Sequence, residues 1–132
     1  MAAITFVPDA VLDAPLDNII ADGNLVHLTG EVLNTVTYAQ VVAASIGSYA
    51  PTLSKADSGT GRKAILAAAT GVVIDTATNF GGVDKTFDQY IIVDTVGLAI
   101  KFIGVGTNKL LSNGDTVNTP AADIINPAIV VV

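Results

Sequence analysis

The sequence predicts a mainly β protein: a β-sandwich or jelly-roll-like barrel with one short N-terminal helix. Three observations carry this. Residues 86–105 alternate with period 2 in β-branched and aromatic residues, around a polar centre at Asp94–Gly97. Turn signals recur at intervals of about 8 to 12 residues along most of the chain. Only near the N-terminus does a sustained apolar repeat follow helical spacing, at Leu12, Leu16, Ile19 and Ile20.

At 132 residues the chain is read as a single β-rich domain over residues 1–132, with an N-terminal arm at 1–8 and a C-terminal tail at 127–132. A domain of this size buries roughly two-thirds of the surface its unfolded chain exposes. Hydrophobic residues make up 51% and charged residues 14%, below the usual ~25% charged. Mean hydropathy is +0.61. The longest apolar run, Ala64 to Ile74, is interrupted by Thr70 and Gly71 and falls short of the ~20 residues of a spanning helix. The N-terminal apolar stretch has no basic residue before it, so a signal peptide is not expected. The excess apolar surface is therefore expected at subunit interfaces, in a homo-oligomer without membrane contact.

The formal net charge is −6, and the six basic residues are scattered, so nucleic-acid binding is not expected. The absence of cysteine excludes disulfides, thiolate metal sites and cysteine nucleophiles.

In chain order, Ala2–Val7 reads as a short strand or an arm ended by Pro8. Asp9 or Asp13 caps the helix. Pro15 either kinks it or, as preferred here, sits in its first turn behind Asp13. Gly23 ends it. Asn24–Thr29 reads as a strand with Leu25, His27 and Thr29 on one face, and Gly30–Thr35 as a loop. Thr37 opens a helical turn, Tyr38–Ala43. Ser45–Leu53 is irregular or an edge strand, and Ser54–Gly61 a polar turn or loop. Strands follow at Arg62–Ala69 and Val72–Thr76, separated by Gly71, and Asn79–Gly82 is a loop.

The central hairpin places Phe87, Gln89, Ile91 and Val93 on one face of its first arm. Leu98, Ile100 and Phe102 share a face of its second arm, with Ala99, Lys101 and Ile103 opposite. Gly97 supplies a positive φ at the turn. Ile91, Val93, Ile100 and Phe102 are expected in the core, within a sheet covered on both sides. Leu110–Leu111 starts a strand, Asn113–Gly114 marks a turn, and Thr116–Ile125 holds the last strands. The tail, Ala128–Val132, carries no side-chain charge. It is an interaction element or a closing strand of its own domain.

Catalytic patterns are sparse. His27, the lone histidine, alternates with Leu25 and Thr29 and reads as a structural strand residue. Gly59–Lys63 lacks the first glycine and the Ser/Thr of a phosphate loop, and Gly104–Gly106 lacks the third glycine of a dinucleotide fingerprint. Of the 12 acidic residues only Glu31 is a glutamate. Asp13 and Asp17, at i and i+4, present two carboxylates together or serve as a cap and a solvated charge. No calcium-loop spacing occurs. No catalytic, metal or cofactor-binding residue is assigned, no cofactor is expected, and an enzyme is not expected.

Several stretches in order resemble a family of small virion structural proteins of tailed bacteriophages. They are Leu16–Leu28 (LDNIIADGNLVHL), Thr37–Val41 (TYAQV) with Ser45–Gly47, Ser58–Lys63 (SGTGRK), Tyr90–Asp94 (YIIVD) and Gly114–Ile124 (GDTVNTPAADI). Members of that family often carry C-S-x-E-P-T after the first strand, where this chain has Thr29–Leu33 (TGEVL).

The resemblance implies a capsid decoration (cement) protein on the virion surface, made in the host cytoplasm, that binds the major capsid protein or other virion subunits. A tail, baseplate or fibre-associated module is the alternative, and an unrecognised enzyme a remote one. Candidate interface residues are Arg62, Lys63, Ile129, Val130, Val131 and Val132. Arg62 is expected to pair with a partner carboxylate, and Lys63 to point to the opposite face of the strand.

Overall fold

The computed structural model describes residues 4–6, 9–33, 37–57, 61–127 and 129–131. The chain is mainly β, with antiparallel sheets in a sandwich-like arrangement and a helix near its N-terminus. The largest sheet has four strands, in the order β3 (Ser45–Tyr49), β2 (Leu25–Thr29), β8 (Gln89–Asp94) and β9 (Ala99–Val105). A second sheet orders β12 (Ala122–Pro127), β5 (Gly61–Leu66) and β4 (Leu53–Asp57). Two-stranded pairings join β6 (Ala69–Val73) to β11 (Thr116–Thr119), and β7 (Lys85–Thr86) to β10 (Leu110–Leu111). A third joins β1 (Ile4–Phe6) to β13 (Ile129–Val131).

Helix α1 runs Asp9–Asp22, with Pro15 in its interior. The expected start at Asp13 is therefore corrected: the helix begins a turn earlier, and Pro15 sits in its interior without an amide donor. Leu16 is buried from α1, with Ile19 and Ile20 packed beside it. Helix α2, Tyr38–Ala44, starts where the sequence predicts. The Thr37 hydroxyl accepts from Gln40 N–H, and Gln40 Oε1 accepts from Thr37 N–H at 2.8 Å. This reciprocal cap satisfies two amides that the first turn leaves without partners.

The four-stranded sheet is covered on both faces at β8, as its two apolar faces require. On one side Val41 of α2 packs on Ile91 and Val93. On the other, Val26 and Ile92 meet Leu16, Ala64, Leu66 and Ile124. Leu28 and Ile46 continue that inner face onto Val72, Val117 and Leu111. Each fully buried aliphatic side chain contributes roughly 1.5 to 3 kcal/mol. Tyr49 and Tyr90 touch both inner clusters and sit at their seam.

The hairpin departs from its expected faces. Ile92 pairs with Phe102, but Val93 pairs with Ile100, so Lys101 is an extra residue, a β-bulge. Phe102 consequently packs on the α1 side with Ile92, while Ile100 packs on the α2 side with Val93. Ile91 and Val93 are fully buried; Ile100 and Phe102 are partly so. The turn differs as well. Leu98 takes the left-handed conformation at φ 53°, and Gly97 does not. Gly97 is small for another reason: a β-carbon there would lie 2.6 Å from the Asp94 carboxylate that caps the turn.

Three further expectations are corrected. Residues 53–57, expected largely as loop, form β4, because every residue finds a register partner on β5. Gly71 does not end a strand but lies inside β6 at φ +67°. Ala77–Phe80, expected partly as loop, forms a short helix, α3.

Candidate functional site

Three places bring polar or cavity-lining groups together. The first joins α1, β4 and β5. Even-numbered residues of β5 face α1, where Ala64 and Leu66 pack on Leu16, and this alternation also aims Arg62 at the helix. Arg62 Nε donates to Asp13 Oδ1 at 2.9 Å, and its terminal nitrogen donates to Asp57, its register partner on β4. Lys55 lies 2.7 Å from Asp17 and 3.4 Å from Asp13. Asp13 and Asp17 thus do present two carboxylates together, and two cations answer them. Hydrogen bonding to Arg62 holds the Asp13 carboxyl below its usual range, partial burial opposes this, and Lys55 adds to the lowering. Hydrogen bonding to Asp17 raises the Lys55 ammonium.

Of the predicted interface residues, Arg62 therefore meets carboxylates of its own chain, and only 17% of its side-chain surface is exposed. Lys63 sits on the other face of β5, 3.0 Å from Asp123 of β12. Backbone pairing places Ile129, Val130 and Val131 in β13, opposite Phe6, Thr5 and Ile4. Val132 lies outside the described residues.

The second place is an open cleft of about 420 Å³ lined by His27, Ser45, Ser48, Asp75, Thr78 and Asn79 among others. His27 is 8% exposed, beneath α2 on the outer face of β2. Its Nδ1 lies 2.8 Å from Ser45 Oγ, while the Ser45 hydroxyl donates to the Gly47 carbonyl at 3.1 Å. The direction of the His27–Ser45 bond follows the ring tautomer, and Nε2 is buried without a partner among the described residues. Burial lowers the pKa of His27 and keeps the ring neutral. Asn79 closes one wall by donating to the carbonyls of Val42 and Ser45. Asp75 accepts from the backbone and hydroxyl of Thr78, which lowers its pKa. Through Asn79, α3 is tied to the last turn of α2.

The third place is a partly enclosed apolar cavity of about 160 Å³ at the seam of the two inner clusters. Tyr49, Leu66, Phe87, Tyr90, Pro120 and Ala122 form most of its wall. Sequence reasoning did not find it, because its lining comes from segments spread between residues 49 and 122. The usable signal was local: Gly104 faces Tyr90 across the hairpin, and Gly106 follows it.

No group of three or more His, Asp or Glu side chains able to hold a metal ion occurs among the described residues. No helix among them is long and apolar enough to cross a membrane. No protein-family model, curated protein or solved structure matches the chain.

Proposed function

We propose that the chain is a structural component of a bacteriophage virion, a capsid decoration protein that stabilises the head shell through subunit contacts. The observation that carries this reading is an apolar sheet edge. Strand β9 is the last strand of the four-stranded sheet, and no further strand pairs with its outer side among the described residues. Val105 at its end is 81% exposed, and Val96 in the adjoining turn is 87% exposed, with Leu98 and Ile103 also at the surface.

Sheet edges are usually guarded by outward charges. Here the strand's one lysine, Lys101, is turned inward by the bulge. It donates to Asn18 at 2.8 Å and lies 3.6 Å from Asp22. An uncharged edge bordered by exposed aliphatic side chains suits strand addition by a neighbouring subunit. The ordered motifs that resemble those of small virion proteins and the low charged fraction support the same reading.

The test is the number of copies per purified particle, measured by quantitative mass spectrometry and located by cryo-electron microscopy. A decoration protein is present in hundreds of copies on the head. A few to dozens of copies on the tail would assign the chain to the tail, baseplate or fibres. Absence from particles would overturn the proposal.

A further inference from the structure

We propose that the seam cavity is a binding site for a small, uncharged, single-ring aromatic molecule bearing a hydroxyl, that is, a simple phenol. The inference does not rest on the virion reading. Its first support is size and shape. A cavity of about 160 Å³ is close to the roughly 150 Å³ of an engineered apolar cavity that stays dry and takes up benzene. Three aromatic residues, Tyr49, Phe87 and Tyr90, contribute to the wall, with Leu66, Pro120 and Ala122 completing an apolar surface suited to a flat ring.

The second support is that one stretch of the wall is bare backbone, with no side chain to shape it. A β-carbon on Gly106, a lining residue, would lie 2.5 Å from the Phe87 carbonyl oxygen, so that position is held small.

The third support is the polar content. No hydrogen bond joins the hydroxyl of Tyr49 or Tyr90 to another described residue, although both tyrosines line the cavity. Burial, and then the neighbouring Tyr49, raise the pKa of Tyr90, so its hydroxyl stays protonated and available as a donor or acceptor. No lysine, arginine or histidine lines the cavity, and the chain carries a net charge of −6. An aromatic carboxylate would enter without a counter-charge, whereas a neutral hydroxyl has two candidate partners.

The test is titration of the isotopically labelled full chain with phenol, benzene and benzoate, followed by amide nuclear magnetic resonance. Phenol is expected to give saturable shifts centred on Gly106, Thr107 and Ala122, with benzene about two- to tenfold weaker for want of one hydrogen bond. Benzoate is expected to give none. Ala122→Leu should fill the space and weaken phenol binding about tenfold or more. Tyr90→Phe keeps the ring and tests the hydroxyl even if the leucine variant does not fold; it should reduce the preference for phenol over benzene. Absence of saturable shifts, equal binding of benzoate, or an undiminished phenol preference in Tyr90→Phe together with unweakened binding in a folded Ala122→Leu would overturn the proposal.

Discussion

Tyr90 and Gly104 face each other across the β8–β9 hairpin, and the tyrosine ring occupies the space that a β-carbon at position 104 would need. The missing side chain on one strand is thus replaced by an aromatic ring from the other, and the same ring forms part of the seam between the sheets. Gly104→Ala must displace Tyr90 and is expected to cost about 1 to 3 kcal/mol by overpacking. Urea unfolding checks it; an unchanged midpoint would show that the ring can move aside freely.

Leu98 holds φ at 53° while 62% exposed, so it carries a backbone penalty with little burial to offset it. Leu98→Gly should stabilise the fold by up to about 1 kcal/mol, since the left-handed region is open to glycine. Thermal unfolding of the two proteins side by side measures this. A lower melting temperature in the glycine variant would mean that the leucine side chain contributes more than its exposure suggests.

Ile91 is completely buried between β2 and β9 and against α2. Ile91→Ala should cost about 2 to 5 kcal/mol, the spread reflecting how far the site collapses. Equilibrium denaturation gives the value, and a loss below about 1 kcal/mol would contradict the packing described.

The hairpin shows what could be read from the chain and what could not. Alternation in residues 86–105 located both strands, because a strand covered on both sides must be apolar on both faces. The bulge was invisible, because alternation specifies faces only while pairing proceeds one residue against one. An extra residue at Lys101 reverses the rule for everything beyond it, and the groups that meet its ammonium, Asn18 and Asp22, lie some 80 residues away. The charged cluster was half legible. Spacing placed Asp13 and Asp17 on one helix face, but that their cations are Arg62 and Lys55 follows from how α1 lies across β4 and β5. Residues 53–57 looked like loop because they are polar, and they form an edge strand where polar residues reach solvent. Thr37 was read correctly because a reciprocal cap is a wholly local signal.

Asp13 has a folded-state pKa below its ordinary value of 3.8, chiefly through Arg62. Its ion pairing therefore stabilises the fold fully above the unfolded pKa, and that contribution is lost as pH falls through the folded one. Asp13→Asn should lower the melting temperature near about pH 6, with the gap to the parent narrowing as pH falls below the ordinary value of 3.8. The gap should also shrink at high salt. A gap independent of both pH and salt would show that Asp13 acts through packing.

His27 works in a higher window. Burial lowers its folded-state pKa below the ordinary 6.5, so the unfolded chain binds the extra proton first. Stability is complete above the unfolded pKa and declines as pH falls from about 6.5 towards the folded value. Asp75, which lines the same cleft, has its pKa lowered and stays ionised throughout this range. His27→Gln should remove this part of the pH dependence, as read from melting curves between about pH 7.5 and about pH 5. A parallel decline in both proteins would place the titration elsewhere.

The pairing of Ile4–Phe6 with Ile129–Val131 brings the first and last described strands side by side. In that respect the fold is nearly a closed circuit, broken at a single point. A covalent join across the break, with new ends cut at an exposed bend such as Gly81–Gly82, would leave every described strand pair intact. It also follows that a segment attached to either of these strands would leave the molecule from the same place.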